Sequence, residues 1–137
     1  MSLILDSSAT LAWFYTDETT PAIRHVFELL AESGAWVPSL WRLDVANILE
    51  MGIRRGRHDV AFRQASLADL SSLPISIDPE TDRRAWDDTL QLAHLHRLTL
   101  YDAAYLELAK RRALPLATLD SQLRTAAHTE GVTLLGS

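Results

Sequence analysis

Leu3-Ile4-Leu5-Asp6-Ser7-Ser8 reads as a short buried strand that ends in an acid and passes directly into a helix over Ala9 to Phe14. The same grammar returns near the other end of the chain. There Leu116-Ala117-Thr118-Leu119 is a strand closing on Asp120, and Ser121 to Glu130 is helical in pattern. Between them, Thr19-Thr20-Pro21 starts a helix, with Pro at a tolerated first-turn position. Its apolar residues Ile23, Val26, Phe27, Leu30 and Ala31 keep helical spacing, and Ser33-Gly34 ends it.

Ala35-Trp36-Val37 is a candidate strand stopped by Pro38. Leu40 to Arg55 predicts a helix ended by Gly56, and His58 to Leu70 another. Leu73 to Ile77 reads as a short strand, and Asp78-Pro79-Glu80 opens a helix running to about His96. Tyr101 to Arg112 is helical, and Val132 to Leu135 is a final strand. Strands alternate with helices, so the chain is α/β, with a mostly parallel sheet and helices on both faces. In such open sheets, sites form beyond the carboxyl ends of the strands. Asp6 and Asp120 therefore fall on one rim.

The 137 residues suit a single domain, and a hydrophobic content of 47% supplies a normal core. No apolar run approaches the roughly 20 residues of a membrane span. No basic n-region precedes Leu3-Ile4-Leu5, so no signal peptide is expected. The chain has no cysteine, which excludes disulfides and thiolate metal sites and points to the cytoplasm. The net charge of -5 argues against a binder that holds nucleic acid by charge alone. Lys110 is the one lysine among the basic residues. Arg suits bidentate phosphate contacts, although GC-rich codon usage gives the same bias.

Two further acids stand out. Asp102 opens the helix from Tyr101, and Asp44 lies inside an apolar helical stretch whose nearest surface neighbours are Leu40, Trp41, Ile48 and Met51. Taken singly, Asp6, Asp102 and Asp120 read as helix N-caps. Asp44 is costly among apolar neighbours unless paired or metal-bound, and a salt bridge to Arg42 or Arg97 would satisfy it. Taken together, acids at strand ends and helix starts can converge on one spot, where several carboxylates cannot hold their charge without a cation, and hard oxygen donors favour Mg²⁺ or Mn²⁺.

Leu5-Asp6-Ser7-Ser8, Val37-Pro38-Ser39-Leu40-Trp41 with Asp44-Val45-Ala46-Asn47-Ile48-Leu49, Leu100-Tyr101-Asp102-Ala103-Ala104-Tyr105, and Leu116-Ala117-Thr118-Leu119-Asp120 resemble, in that order, the motifs of PIN-domain ribonucleases. More closely, the chain resembles VapC toxins of VapBC toxin–antitoxin pairs, and the resemblance runs the whole length. It implies a three-layer α/β/α domain with a central parallel sheet, over residues 1–137. It also implies a Mg²⁺- or Mn²⁺-dependent endoribonuclease that leaves 5′-phosphate and 3′-hydroxyl ends. The family's first, third and last acids match Asp6, Asp102 and Asp120, the expected metal ligands. Thr118 matches the polar residue two before the last acid. The second acid, usually Glu, matches Asp44, one methylene shorter.

Ser7 is a candidate for orienting Asp6, or a simple helix-start residue. Asn47 is a candidate hydrogen-bond partner for the carboxylates. Arg42, Arg97 and Arg124 are candidate phosphate contacts, with solvated surface roles as the plainer reading. His94 and His96 do not share a helix face, so no histidine metal site is expected. The resemblance further implies a VapB-like antitoxin packed over the acids and a homodimer. Trp13, Phe14, Trp36, Trp41 and Trp86 are available as anchors or as core.

Other acid-bearing α/β classes fit less well. A receiver domain needs an acidic pair after its first strand, and a haloacid-dehalogenase-type phosphatase needs an Asp where Ser8 stands. No Gly-rich phosphate loop is present. The alternative of a different class is a PIN-like binding module that no longer cuts RNA, motivated by Asp44.

Overall fold

Leu3, Ile4 and Leu5 are all buried, on both faces of the chain. Only a strand covered by layers above and below accommodates such a run, and this one, β1 (Leu3–Leu5), is the middle of the sheet. In the computed structural model, which describes residues 1–137, the elements that follow are α1 (Ser7–Ala12), α2 (Pro21–Ser33), β2 (Ala35–Val37), α3 (Trp41–Arg54), α4 (Val60–Ser71) and β3 (Ile75–Ile77). Then come α5 (Thr81–Arg84), α6 (Asp88–His96), α7 (Leu100–Arg112), β4 (Leu116–Ala117), α8 (Ser121–Thr129) and β5 (Leu134–Leu135).

The five strands are parallel throughout and lie in the order β3-β2-β1-β4-β5. Leu3 aligns with Ala35, and Leu5 with Ala117. From β1 the chain goes first to one side and later to the other, so the crevice between β1 and β4 is the switch point where such sheets form sites. The eight helices flank the sheet as α/β/α layers.

Buried residues of α2 (Ile23, Val26, Phe27, Leu30) and of α7 join those of the strands in one apolar core. Helix α7 is buried continuously from Ala103 to Ala109, which makes it a rigid post within the fold.

The helix anticipated from Glu80 to His96 is two helices. Residues Ala85-Trp86-Asp87 separate α5 from α6, Asp87 is at φ -109°, ψ -108°, and Trp86 is 88% exposed. Trp86 therefore contributes nothing to the core. The anticipated buried stripe of α3 is also displaced. Trp41, Val45, Leu49 and Gly52 face inward, and Leu40, Asp44, Ile48 and Met51 lie half-buried beside them. One residue is a 100° rotation, enough to move Asp44 from the core to its margin. No helix is long and apolar enough to cross a membrane.

Candidate active site

Asp6 is placed by the backbone before its side chain does anything. Its N–H donates to the Ala117 carbonyl at 3.1 Å, which extends the β1–β4 ladder one step past Leu5. Its side chain is 3% exposed. Oδ1 accepts from Ala9 N–H (2.8 Å) and from the Ser8 hydroxyl (2.7 Å), and Oδ2 accepts from the Thr118 hydroxyl (2.5 Å). The cap reading and the site reading are thus both satisfied by one residue: Asp6 caps α1 and faces the switch point. Burial pushes its carboxyl up to about 6, against these three hydrogen bonds and with help from the negative charge of Asp102.

Asp120 also caps its helix. Its Oδ1 accepts from Gln122 N–H (2.9 Å) and Leu123 N–H (3.1 Å) at the start of α8. Its own N–H donates to Thr118 Oγ1 at 3.0 Å. Thr118, with no exposed surface, therefore holds both acids at once.

Asp102 is not a cap. Thr99 caps α7 by accepting from the Asp102 N–H at 3.1 Å, and the Asp102 side chain is left in the first turn, half-buried. Its carboxyl is raised by burial first, then by the charges of Asp120 and Asp44; only the Thr99 side chain works the other way.

Asp44, on the first turn of α3, accepts from the Tyr105 hydroxyl at 2.9 Å. Neither Arg42 nor Arg97 pairs with it. All fourteen ion pairs of the chain involve other acids, so none of the four carboxylates has a basic partner.

Two residues matter that the sequence did not single out. Ser8 was passed over for Ser7, yet Ser8 contacts Asp6 and accepts from the Leu119 N–H at 2.9 Å, tying α1 to the end of β4. Ser8 sits two residues after Asp6, the position from which a hydroxyl reaches back to a capping carboxylate, and that spacing was the available signal. Tyr105 is the other. It follows Asp102 by three on a helix, so it shares a side with that acid.

Other candidates fall away from the acids or are occupied. Asn47 is exposed and without a side-chain hydrogen bond to any of them. Arg124 spends Nη1 on the carbonyls of Thr118 (2.8 Å) and Leu135 (3.0 Å), bracing β4 against β5. Arg42 and Arg97 are exposed. Trp41 is buried and donates Nε1–H to Thr10 Oγ1 at 3.1 Å, while Thr10 donates to the Asp6 carbonyl at 2.6 Å. That chain of bonds fixes α3 against α1, and hence where Asp44 begins. Trp13 stacks on Phe27, and Trp36 carries the Arg112 guanidinium on its face. His96 bonds Glu130 at 2.6 Å, away from the acids.

The rim is open. Clefts of about 510 and 520 Å³ lie elsewhere, lined by residues such as Arg84, Gln91 and Lys110 or Pro115 and Val132, and contain none of the four acids. No three carboxylate or imidazole groups close on a single point tightly enough to ligate one ion together.

The arrangement is that of a PIN domain: residues 3–129 match the PIN-domain family model. The chain belongs to the PIN-domain family. Within it, the chain is similar to Ribonuclease VapC3 of Pyrobaculum aerophilum, 31% identical over 125 residues that cover 90% of this chain and 92% of that one. Among solved structures it is similar to PAE2754 of the same organism (TM-score 0.69, 24% identity, 98% of this chain and 89% of that one). The fold is also shared with VapBC2 of Rickettsia felis, solved with a DNA fragment from its promoter (TM-score 0.64, 12% identity, 98% and 97% covered). FitAcB of Neisseria gonorrhoeae shares it too (TM-score 0.64, 14% identity, 98% and 96% covered).

Proposed function

We propose that this protein is a cytoplasmic, Mg²⁺- or Mn²⁺-dependent endoribonuclease toxin of the VapC type, neutralised by a cognate antitoxin. One observation carries the reading. Asp6, Asp44, Asp102 and Asp120 come from four separate elements, Asp102 lies close enough to the other three to repel them, and none has a basic side chain to balance it. The anionic forms of Asp6 and Asp102, disfavoured first by burial and then by neighbouring negative charge, gain from an added cation. An all-oxygen donor set selects a hard ion. Asp6, Asp102 and Asp120 would hold it, with Asp44 in support. Mg²⁺ ordinarily takes one or two carboxylates directly and keeps several waters, which suits a rim where no three acids meet at one point.

When bound, the ion supplies Lewis-acid activation of water and stabilises charge on the phosphoryl oxygens. The chain's own residues do the placing. Thr118 and Ser8 orient Asp6, and the first N–H groups of α8 hold one oxygen of Asp120 and leave Oδ2 for the rim. The single active arrangement needs no nucleophilic side chain, since water attacks phosphorus. Exposed Arg42 and Arg97 are the free candidates for phosphate contacts.

The VapC3 relative's name supports RNA as the substrate, and the shared fold with VapBC2 supports an antitoxin partner. The shorter Asp44 favours a second reading, a PIN-like binding module without cleavage.

The test is cleavage of mixed single-stranded RNA, and of structured transfer and ribosomal RNAs, by protein freed of antitoxin. Mn²⁺ or Mg²⁺ is added, with EDTA and Asp102→Asn as controls. Cleavage lost in both controls is the expected result. Folded protein that binds RNA and cuts none of these substrates with either ion sinks the enzyme reading in favour of the binding module.

A further inference from the structure

Tyr105 has no exposed surface, so its hydroxyl cannot turn to water. A buried phenol requires a partner inside the protein. The partner is Asp44 Oδ2, at 2.9 Å, sixty-one residues earlier in the chain. Burial, followed by the charge of Asp44, holds the phenol far above its ordinary range. The group therefore stays a donor at any ordinary pH.

The Asp44 carboxylate has little else to hold it. It is half-buried, makes no ion pair, and accepts its one side-chain hydrogen bond from this tyrosine. An aspartate on a helix margin otherwise samples several rotamers. With Oδ2 engaged, one rotamer is selected and Oδ1 remains without a protein donor. The charge of Asp44 then bears on Asp102, whose carboxyl it helps to raise.

Tyr105 stands three residues after Asp102 on α7, which is buried continuously from Ala103 to Ala109. A single rigid segment thus carries one acid of the rim and the hydroxyl that orients another. A longer side chain at position 44 could reach inward by itself; the shorter one depends on where it is held.

We propose that Tyr105 is a positioning residue for Asp44, fixing its carboxylate against the acidic rim so that its charge contributes to divalent-cation binding. This rests on the metal-dependent reading of the rim given above. Tyr105 need touch neither cation nor RNA; it acts through Asp44.

The experiment is a double-mutant cycle on Mn²⁺ binding by the full chain, read by calorimetry and by the electron paramagnetic resonance of free Mn²⁺, without RNA. Tyr105→Phe removes only the hydroxyl, and thermal unfolding reports that the fold is kept. Groups that orient metal-binding side chains typically contribute about 10–100-fold in affinity. Tyr105→Phe is expected to weaken Mn²⁺ binding by about 10-fold. Asp44→Asn should weaken it by at least as much, and the double variant should be no weaker than Asp44→Asn alone. Equal loss from Tyr105→Phe in both backgrounds overturns the proposal, because the hydroxyl would then act without Asp44. Unchanged or tighter binding by folded Tyr105→Phe overturns it as well. If the wild type binds Mn²⁺ and Asp102→Asn does not, those two results count against Tyr105 alone. A wild type that binds no Mn²⁺ overturns both this inference and the metal-dependent reading.

Discussion

The hydroxyl of Thr118 donates to Asp6 Oδ2 at 2.5 Å, and its Oγ1 accepts the Asp120 N–H at 3.0 Å. One side chain, 112 positions after Asp6 in sequence, thereby joins the acid that ends β1 to the acid that begins α8.

Thr118→Val keeps the shape and removes this junction. A buried carboxylate that loses its donor, with an N–H left over, costs about 2 kcal/mol at pH 7.5. At pH 4.5, where Asp6 is protonated, the loss should fall to roughly 1 kcal/mol, the value of a neutral hydrogen bond. Urea unfolding at the two pH values measures both. An equal loss at each would mean that Thr118 does not act on the charge of Asp6.

Asp6 has a pH signature of its own. Its folded value of about 6 lies above the ordinary 3.8, so the folded protein binds the proton more tightly than the unfolded chain. Its contribution to stability is full below about pH 4 and is lost as pH rises through 6. Asp6→Asn should therefore gain on the wild type across that window, by on the order of 3 kcal/mol without added metal. Melting curves from pH 4 to 7.5 in EDTA test it. A wild-type-to-variant difference independent of pH contradicts the assignment.

Asp78 behaves in the opposite sense. It is fully buried, with Arg111 at 2.7 Å and Arg112 at 3.2 Å. Burial alone would raise its carboxyl, but these hydrogen bonds and charges outweigh it and hold the carboxyl below its ordinary range. The stability it contributes is present above the ordinary carboxylate range and is lost as pH falls through the lowered value. Asp78→Asn leaves Arg112 without an ion pair, while Arg111 keeps Glu107 and Glu80, and should cost about 3 kcal/mol at pH 7. The difference from wild type should narrow in acid below about pH 4. Chemical denaturation across pH 3 to 7 gives the comparison.

Arg97 ends α6 in the left-handed region, at φ 55° and ψ 41°. A side chain there costs roughly 1–2 kcal/mol that glycine avoids. Arg97→Gly should raise stability by about 1 kcal/mol, seen as a higher melting temperature. If Arg97 also contacts phosphate, the same variant raises KM for RNA while leaving kcat near the wild-type value. A lower melting temperature would show that its side chain makes contacts worth more than the strain.

The strands and the helix starts were legible because they are local. Leu3-Ile4-Leu5 could only be a buried strand, and Asp6, Thr20 and Asp120 could be read as caps from their neighbours. The break at Trp86 was not legible, because the helical pattern continues across it and the interruption lies in the conformation of Asp87. The buried face of α3 was misjudged by one residue for a similar reason. Leu40, Ile48 and Met51 are as apolar as Val45 and Leu49, so composition cannot say which row meets the sheet.

The sequence by itself determined the alternating α/β order, the parallel sheet and the three acids at element ends, Asp6, Asp102 and Asp120, since each follows from short-range pattern and chain direction. Tertiary structure alone decided which partners those acids have. Ser8 meets the Leu119 N–H, Thr118 bridges Asp6 and Asp120, Tyr105 rather than an arginine meets Asp44, and Arg124 is committed to the Leu135 carbonyl. These are contacts between residues distant in the chain, set to within an ångström by how α1, α3 and α7 pack on the sheet, and no local pattern encodes a distance of that kind.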